Sequence, residues 1–274
     1  MTETLSLRAK IEQSPMGAYQ WMIVVMAAIM NLLDGFDVLA LAFTATAIRG
    51  EFGLTGIELG YLLSAGLFGM TAGSLFLAPL ADKIGRRPLL LMAVSLSAIG
   101  MLGSAFISQY QWLGFWRVIT GLGVGGILVG TNVITSEYSS RKWRSFAISV
   151  YAAGFGIGAV LGGMFAVMLQ GEYGWRSVFL AGAILTGLLL VVLFIWLPES
   201  IDFLTSKQPK NAEVRLNLIA KKIGLAGDWK LPEKAEKVKT KLPISQLFSE
   251  KYLHSTLLIW TAFFAIMFSF YFIS

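Results

Sequence analysis

Asp34 and Asp37 stand three residues apart in "NLLDGFDVLALAF", Asn31 to Phe43, where every other residue is uncharged. At i and i+3, two carboxylates project from the same face of a helix. In a medium of low dielectric they cannot both ionise cheaply, so at least one of the pair is expected to load a proton near neutral pH. Gly35 between them lowers helix stability locally and permits a bend that exposes the pair to one side or the other. Ionisable groups inside apolar spans are rare and usually mark ion or substrate pathways; the alternative is that both merely cap or hydrogen-bond neighbouring helices. A third charge, Arg117, opens "RVITGLGVGG" in another apolar stretch. Such a cation either faces the bundle interior with a partner or snorkels to the nearer helix end. At ~1.5 Å of rise per residue, Asp34 and Arg117 come out nearly level, which predicts that the two pair.

The elements that must position these groups follow from composition. Hydrophobic residues make up 56% and charged residues 14%, and the mean hydropathy is +0.70, which is far from the mix of a soluble domain. Apolar runs near 20–47, 57–80, 88–107, 111–136, 145–169, 175–197 and 252–274 are each long enough to cross roughly 30 Å of hydrocarbon as a helix. The runs do not alternate, so a barrel is excluded and the fold class is an all-α membrane protein. The organisation expected is a cytoplasmic N-terminal segment, 1–19; six spans, 20–197; a cytoplasmic linker with an amphipathic helix, 198–251; and a seventh apolar helix, 252–274, which the resemblance given below makes the first helix of a C-terminal bundle. No cleavable signal peptide is expected, so the first span serves as its own anchor.

Of the 22 Lys and Arg, only Arg49 and Arg176 fall between spans on one side, and Arg117 lies within a span. The rest gather before the first span, between the second and third, between the fourth and fifth, and in the linker. This places the N-terminus in the cytoplasm. The net charge of +6 is therefore a topological signal, and no nucleic-acid partner is expected. With no cysteine there are no disulfides. In the linker, "NAEVRLNLIAKKIGLA" puts Val214, Leu218 and Ile219 on one helical face, read as a solvated spacer that grazes the membrane. His254 gets no role. No metal cluster, nucleophile constellation or enzyme is expected, and no cofactor beyond a proton gradient.

"LAPLADKIGRRPLLL", Leu77 to Leu91, resembles the signature loop between the second and third spans of the major facilitator superfamily. Asp82, Lys83, Gly85, Arg86 and Arg87 match it, while Ala78 stands where the family usually has glycine. Physically, Gly85 permits a tight turn and Asp82 among three cations can form a charge latch. "RVITGLGVGG" resembles the family's fourth-span arginine followed by spaced glycines, here Gly121 and Gly125 among others. "GFGIGAVLGG" carries Gly154, Gly158 and Gly162 on one packing face and is similar to the drug-antiporter motif, with Ala159 in place of that motif's proline. "LPESIDFL" resembles a phrase shared by sugar porters and aromatic-acid symporters. "DGFDVLALAFTATAI" and "TSEYSSRKWRS" resemble the aromatic acid:proton symporter family, with Glu137 and Arg144 as the matching charges of the second stretch.

The resemblance implies the N-terminal half of the major facilitator fold, two three-helix inverted repeats, followed by the start of a seventh helix. It implies import of a small aromatic or related organic anion with protons across the inner membrane, with lipid as surroundings and a missing C-terminal half needed for transport. Asp34, Asp37 and Arg117 take the proton-coupling role. Asp82, Lys83, Gly85, Arg86, Arg87, Glu137 and Arg144 form one gating latch. A porter for sugars or dicarboxylates, or a seven-helix membrane sensor, are the other readings.

Overall fold

A computed structural model describes residues 6–231 and 248–273; expectations for 1–5, 232–247 and Ser274 lie outside the described residues. The chain divides into two units, residues 1–231 and 232–274. In the first, a short α1 (Leu7–Gln13) precedes six long helices, α2 (Ala18–Phe52), α3 (Gly56–Ile84), α4 (Arg86–Ala105), α5 (Tyr110–Tyr138), α6 (Arg144–Tyr173) and α7 (Trp175–Trp196), and two short ones follow, α8 (Ile201–Lys207) and α9 (Ala212–Lys222). The six long helices are each apolar and long enough to cross a membrane. In the second unit, α10 (Glu250–Ile273) contains the apolar run Tyr252–Ile266. No strand occurs among the described residues.

Local chemistry sets the boundaries. At the start of α3, Thr55 and Glu58 form a reciprocal capping box, the Thr55 hydroxyl accepting from the Glu58 N–H and the Glu58 carboxylate from the Thr55 N–H. Gly53 ends α2 in the left-handed region at φ 64°, a conformation that costs glycine no Cβ clash. Between α3 and α4 the turn closes on one residue, Gly85, at φ 103°.

Two glycine seams hold the bundle. Along α3, a Cβ on Gly69 or Gly73 would run into the backbone of Val118 or Leu122 on α5; conversely, one on Gly121 or Gly125 would strike the α3 backbone. Along α6, Gly154 and Gly158 face the carbonyls of Ala28 and Leu32 on α2, Gly162 faces the Phe36 ring, and Gly35 of α2 meets the Phe155 carbonyl. Exchanging α2, α3 and α4 with α5, α6 and α7 carries one seam onto the other. Without a hydrophobic force between helices in lipid, this close backbone approach supplies the packing.

Buried apolar side chains form two clusters. One, at the end where α2 begins, joins Leu7, Ile11, Ile23, Leu90, Val94, Ile127, Leu193, Leu204 and Leu216. The other, at the far end, joins Phe36, Ile48, Met101, Leu113, Trp175 and Phe179. On α4 the border falls between Val94 and Met101; on α5, between Leu113 and Ile127. Ser97, Arg117 and Thr120 occupy that border, as do Asp34 and Asp37 on α2.

Candidate functional site

The border layer is polar because α2, α4 and α5 supply polar side chains there. Asp34 and Asp37 are each 2% exposed and Arg117 is 3% exposed. Asp37 Oδ2 accepts a hydrogen bond from the Ser97 hydroxyl on α4 at 2.6 Å. Its Oδ1 and the Oδ2 of Asp34 have no hydrogen-bond partner among the described residues. Asn31, one turn earlier, donates to the Tyr151 carbonyl of α6 at 2.9 Å, which locks α2 to α6 beside Asp34.

Arg117 is held mainly by neutral groups. Its Nη2 donates to Ser104 Oγ at 3.0 Å, Thr120 Oγ1 at 2.9 Å and Met101 Sδ at 3.0 Å, and its Nη1 to the backbone carbonyl of Asp37 at 3.4 Å. The Phe179 ring lies 4.8 Å from its guanidinium carbon, within cation–π range. The sequence argument expects an Asp34–Arg117 pair. The structure instead sets Arg117 at the Asp37 backbone, and among the described residues no ion pair joins it to either carboxylate. Helix rise fixes height alone, whereas rotation of α5 turns the guanidinium onto α4, where Met101 and Ser104 take its donors.

Asp37, Arg117 and Thr120 line a cavity together with Leu63, Leu67 and Met70 of α3. The cavity measures about 30 Å³, room for a water or two and too small for an aromatic ring.

The charged residues at the end where α2 begins fall into two groups. In the first, the Asp82 carboxylate near the end of α3 pairs with Arg86 at the start of α4 at 2.8 Å, across the turn at Gly85. Glu199, just beyond α7, accepts the backbone N–H groups of Arg86 and Arg87 at 2.8 and 3.1 Å, and so caps the N-terminus of α4. A side chain at Gly85 would collide with that carboxylate. Arg87 reaches the Phe194 carbonyl at 2.6 Å, and Lys83 is exposed.

The second group ties the chain's flanks. Glu137 accepts the Ser200 hydroxyl at 2.8 Å and the Ile201 N–H at 2.9 Å, capping α8. Arg144 binds Glu12 of α1 at 2.7 Å, and Arg8 pairs with Asp202 of α8. The Arg144 hydrogen bond holds the Glu12 carboxyl below its usual range, and the charges of Arg144, Arg8 and Arg141 add to this. Glu137 and Arg144 are thus bonded to α8 and α1, and the structure does not bring them into direct contact with Asp82, Arg86 or Arg87. Sequence reasoning missed Glu199 and Glu12. A signal was available for Glu199, an acid directly before the Ser200 helix cap in "LPESIDFL".

Comparison with known proteins adds the following. The sequence profile of the Major Facilitator Superfamily matches residues 27–274. The chain is 34% identical over 254 residues to the gallate transporter of Pseudomonas putida, covering 93% of this chain and 57% of that protein. It is 33% identical over 265 residues to the 4-hydroxybenzoate transporter PcaK of the same organism, covering 96% and 59%. The chain therefore spans less than three-fifths of these relatives' length. Its fold is similar to that of the proton:xylose symporter XylE bound to 6-bromo-6-deoxy-D-glucose, a transporter from E. coli, with TM-score 0.67, 22% identity, and coverage of 77% of this chain and 50% of that one.

Proposed function

Because this chain belongs to the major facilitator superfamily, we propose that it forms the N-terminal half of a proton-coupled symporter that imports small aromatic or related organic carboxylates across the inner membrane. The observation that carries the reading is the border layer: two carboxylates and one arginine, all but fully buried in apolar helices, with no ion pair to neutralise them among the described residues. Ionisable groups buried in apolar helices are costly and by default mark an ion or substrate pathway. The gallate and 4-hydroxybenzoate relatives support the substrate class.

In this reading Asp34 and Asp37 carry the transported proton. A deprotonated carboxylate draws Arg117 towards itself; a protonated one leaves Arg117 on Ser104 and Thr120, from where it attracts the substrate's carboxylate. Asp82, Lys83, Gly85, Arg86, Arg87, Glu137 and Arg144 serve the cytoplasmic gate, joined by Glu199. The N-terminus faces the cytoplasm, supported by the gathering of cations at that end. The driving force is the proton gradient, with no cofactor.

The test uses proteoliposomes of the full-length carrier. Labelled hydroxybenzoate should accumulate when the outside is made acidic, and competition by aromatic acids, but not by a sugar or a dicarboxylate, fixes the class. Uptake that ignores the pH gradient, or that requires sodium, overturns the proposal.

A further inference from the structure

α4 contributes no charge to the border layer, yet it hydrogen-bonds two of the three charged side chains there, Asp37 and Arg117. Its three serines do not behave alike. Ser95 and Ser104 donate their hydroxyl hydrogens to the carbonyls four residues back, Leu91 and Gly100, each at 2.7 Å. That is the usual habit of serine in a helix. Ser97 instead donates across to Asp37 Oδ2 at 2.6 Å. The consequence is a sorting of polarity along one stripe. Ser104, its hydrogen committed to Gly100, offers Arg117 only an oxygen; Thr120 does the same, its hydrogen held by the Trp116 carbonyl at 3.0 Å. Ser97 offers its hydrogen to the acid.

The stripe is also fixed in place. Gly123 of α5 lies against the Ala93 carbonyl and Ser97, and Gly100 of α4 lies against Thr120 so closely that a Cβ at either position would overlap its neighbour. The Ser97 hydroxyl is thus presented from a helix in backbone contact with α5, with little freedom to follow Asp37 if the acid moves.

We infer that Ser97 is a positioning residue for Asp37: its hydrogen bond holds Oδ2 where no ion pair to Arg117 forms among the described residues, and so governs when Asp37 exchanges its proton for the arginine. This rests on the reading of Asp37 as a proton carrier. Among the described residues, the charged or titratable groups around Asp37 are Asp34 on its own helix, Arg117 on α5, and Tyr151 of α6, which stands beside Asp34; α4 brings Ser97, and α7 brings Gly182.

The experiment compares Ser97→Ala, Ser97→Thr and Ser95→Ala in the full-length carrier, after equal membrane insertion has been checked. Accumulation driven by a fixed pH gradient, substrate exchange without a gradient, the pH profile of uptake, and the infrared carboxyl band assigned to Asp37 by its loss in Asp37→Asn are recorded together. Ser97→Ala should lower accumulation about tenfold, as loss of a hydrogen bond to a charged group implies, shift the pH profile, displace the carboxyl band and keep exchange. Ser97→Thr should restore all of these, and Ser95→Ala should change none. An unmoved band with normal accumulation in Ser97→Ala overturns the inference; so does a parallel loss of exchange and accumulation in both Ser97 variants, which marks a packing position. If the unaltered carrier ignores the pH gradient, the symporter reading fails, and the band then decides the Ser97–Asp37 contact by itself.

Discussion

At the scale of the residue, the two carboxylates differ in their surroundings although they share a helix. Asp37 has a donor in Ser97 and a cation near its backbone, whereas Asp34 Oδ2 lies in the same layer with neither. Asp34→Asn or Asp37→Asn in the full-length carrier is expected to abolish proton-driven accumulation while sparing substrate exchange. Normal accumulation by both variants at a fixed gradient would make the acids structural. Arg117→Lys is expected to fail as well. A single ammonium cannot meet Ser104, Thr120 and the Phe179 ring from one position as the planar guanidinium does, so substrate affinity should fall about tenfold or more in a binding titration. The charges themselves were legible in the sequence, because Asp34, Asp37 and Arg117 interrupt apolar runs. Their partners were not. Serine is ordinary in a membrane helix, and nothing in "VSLSAIGMLGS" separates Ser97 from Ser95 until the rotation of α4 against α2 is known.

At the scale of the element, glycine spacing was readable and the charge groupings were only half so. Gly154, Gly158 and Gly162 recur every four residues, which puts them on one face of α6 whatever the neighbour is; which helix lies across from them needed the fold. Gly158→Val should push α6 off the Leu32 carbonyl, at a cost of about 1–3 kcal/mol or more, read as a lower unfolding temperature in detergent. Removing the Glu199 carboxylate by Glu199→Ala strips the cap from α4 and should cost about 0.5–2 kcal/mol. The α1 clamp has a pH dependence of definite sign. Arg144 lowers the Glu12 carboxyl below its usual 4.5, so the contribution of this pair is present above that value and fades as pH falls through the lowered one. Spin labels on α1 and at the start of α6 should keep their separation at neutral pH and move apart only in stronger acid. Separation already at neutral pH would contradict the clamp.

At the scale of the whole molecule, six spans were legible because each is an apolar run near the thickness of the hydrocarbon. The short α8 was not, and α9 was legible as a helix but not in its packing: the sequence puts Val214, Leu218 and Ile219 on one face, whereas Leu216 and Ile219 are buried against the bundle and Val214 and Leu218 are exposed, because the buried faces show themselves only once α1 and the ends of the long helices come together. The chain by itself is expected not to transport: its cavity at Asp37 and Arg117 is too small for an aromatic acid, and the relatives it matches are longer proteins. Gradient-driven uptake by the purified 274-residue chain would refute this. The glycine seams carry one more consequence, a mechanical one. Soft side chains act as springs between most helices and let neighbours slide by fractions of an ångström. Where α3 meets α5 and α2 meets α6, main chain bears directly on main chain, so each pair has almost no compliance and a push on one member displaces the other. Strain from substrate or proton arriving at the border layer is therefore not absorbed inside these pairs. Each pair is thus expected to move as a unit, with the turn at Gly85 after α3 and the Glu137 contact with α8 at the end of α5 as the joints nearest the ends of the α3–α5 pair.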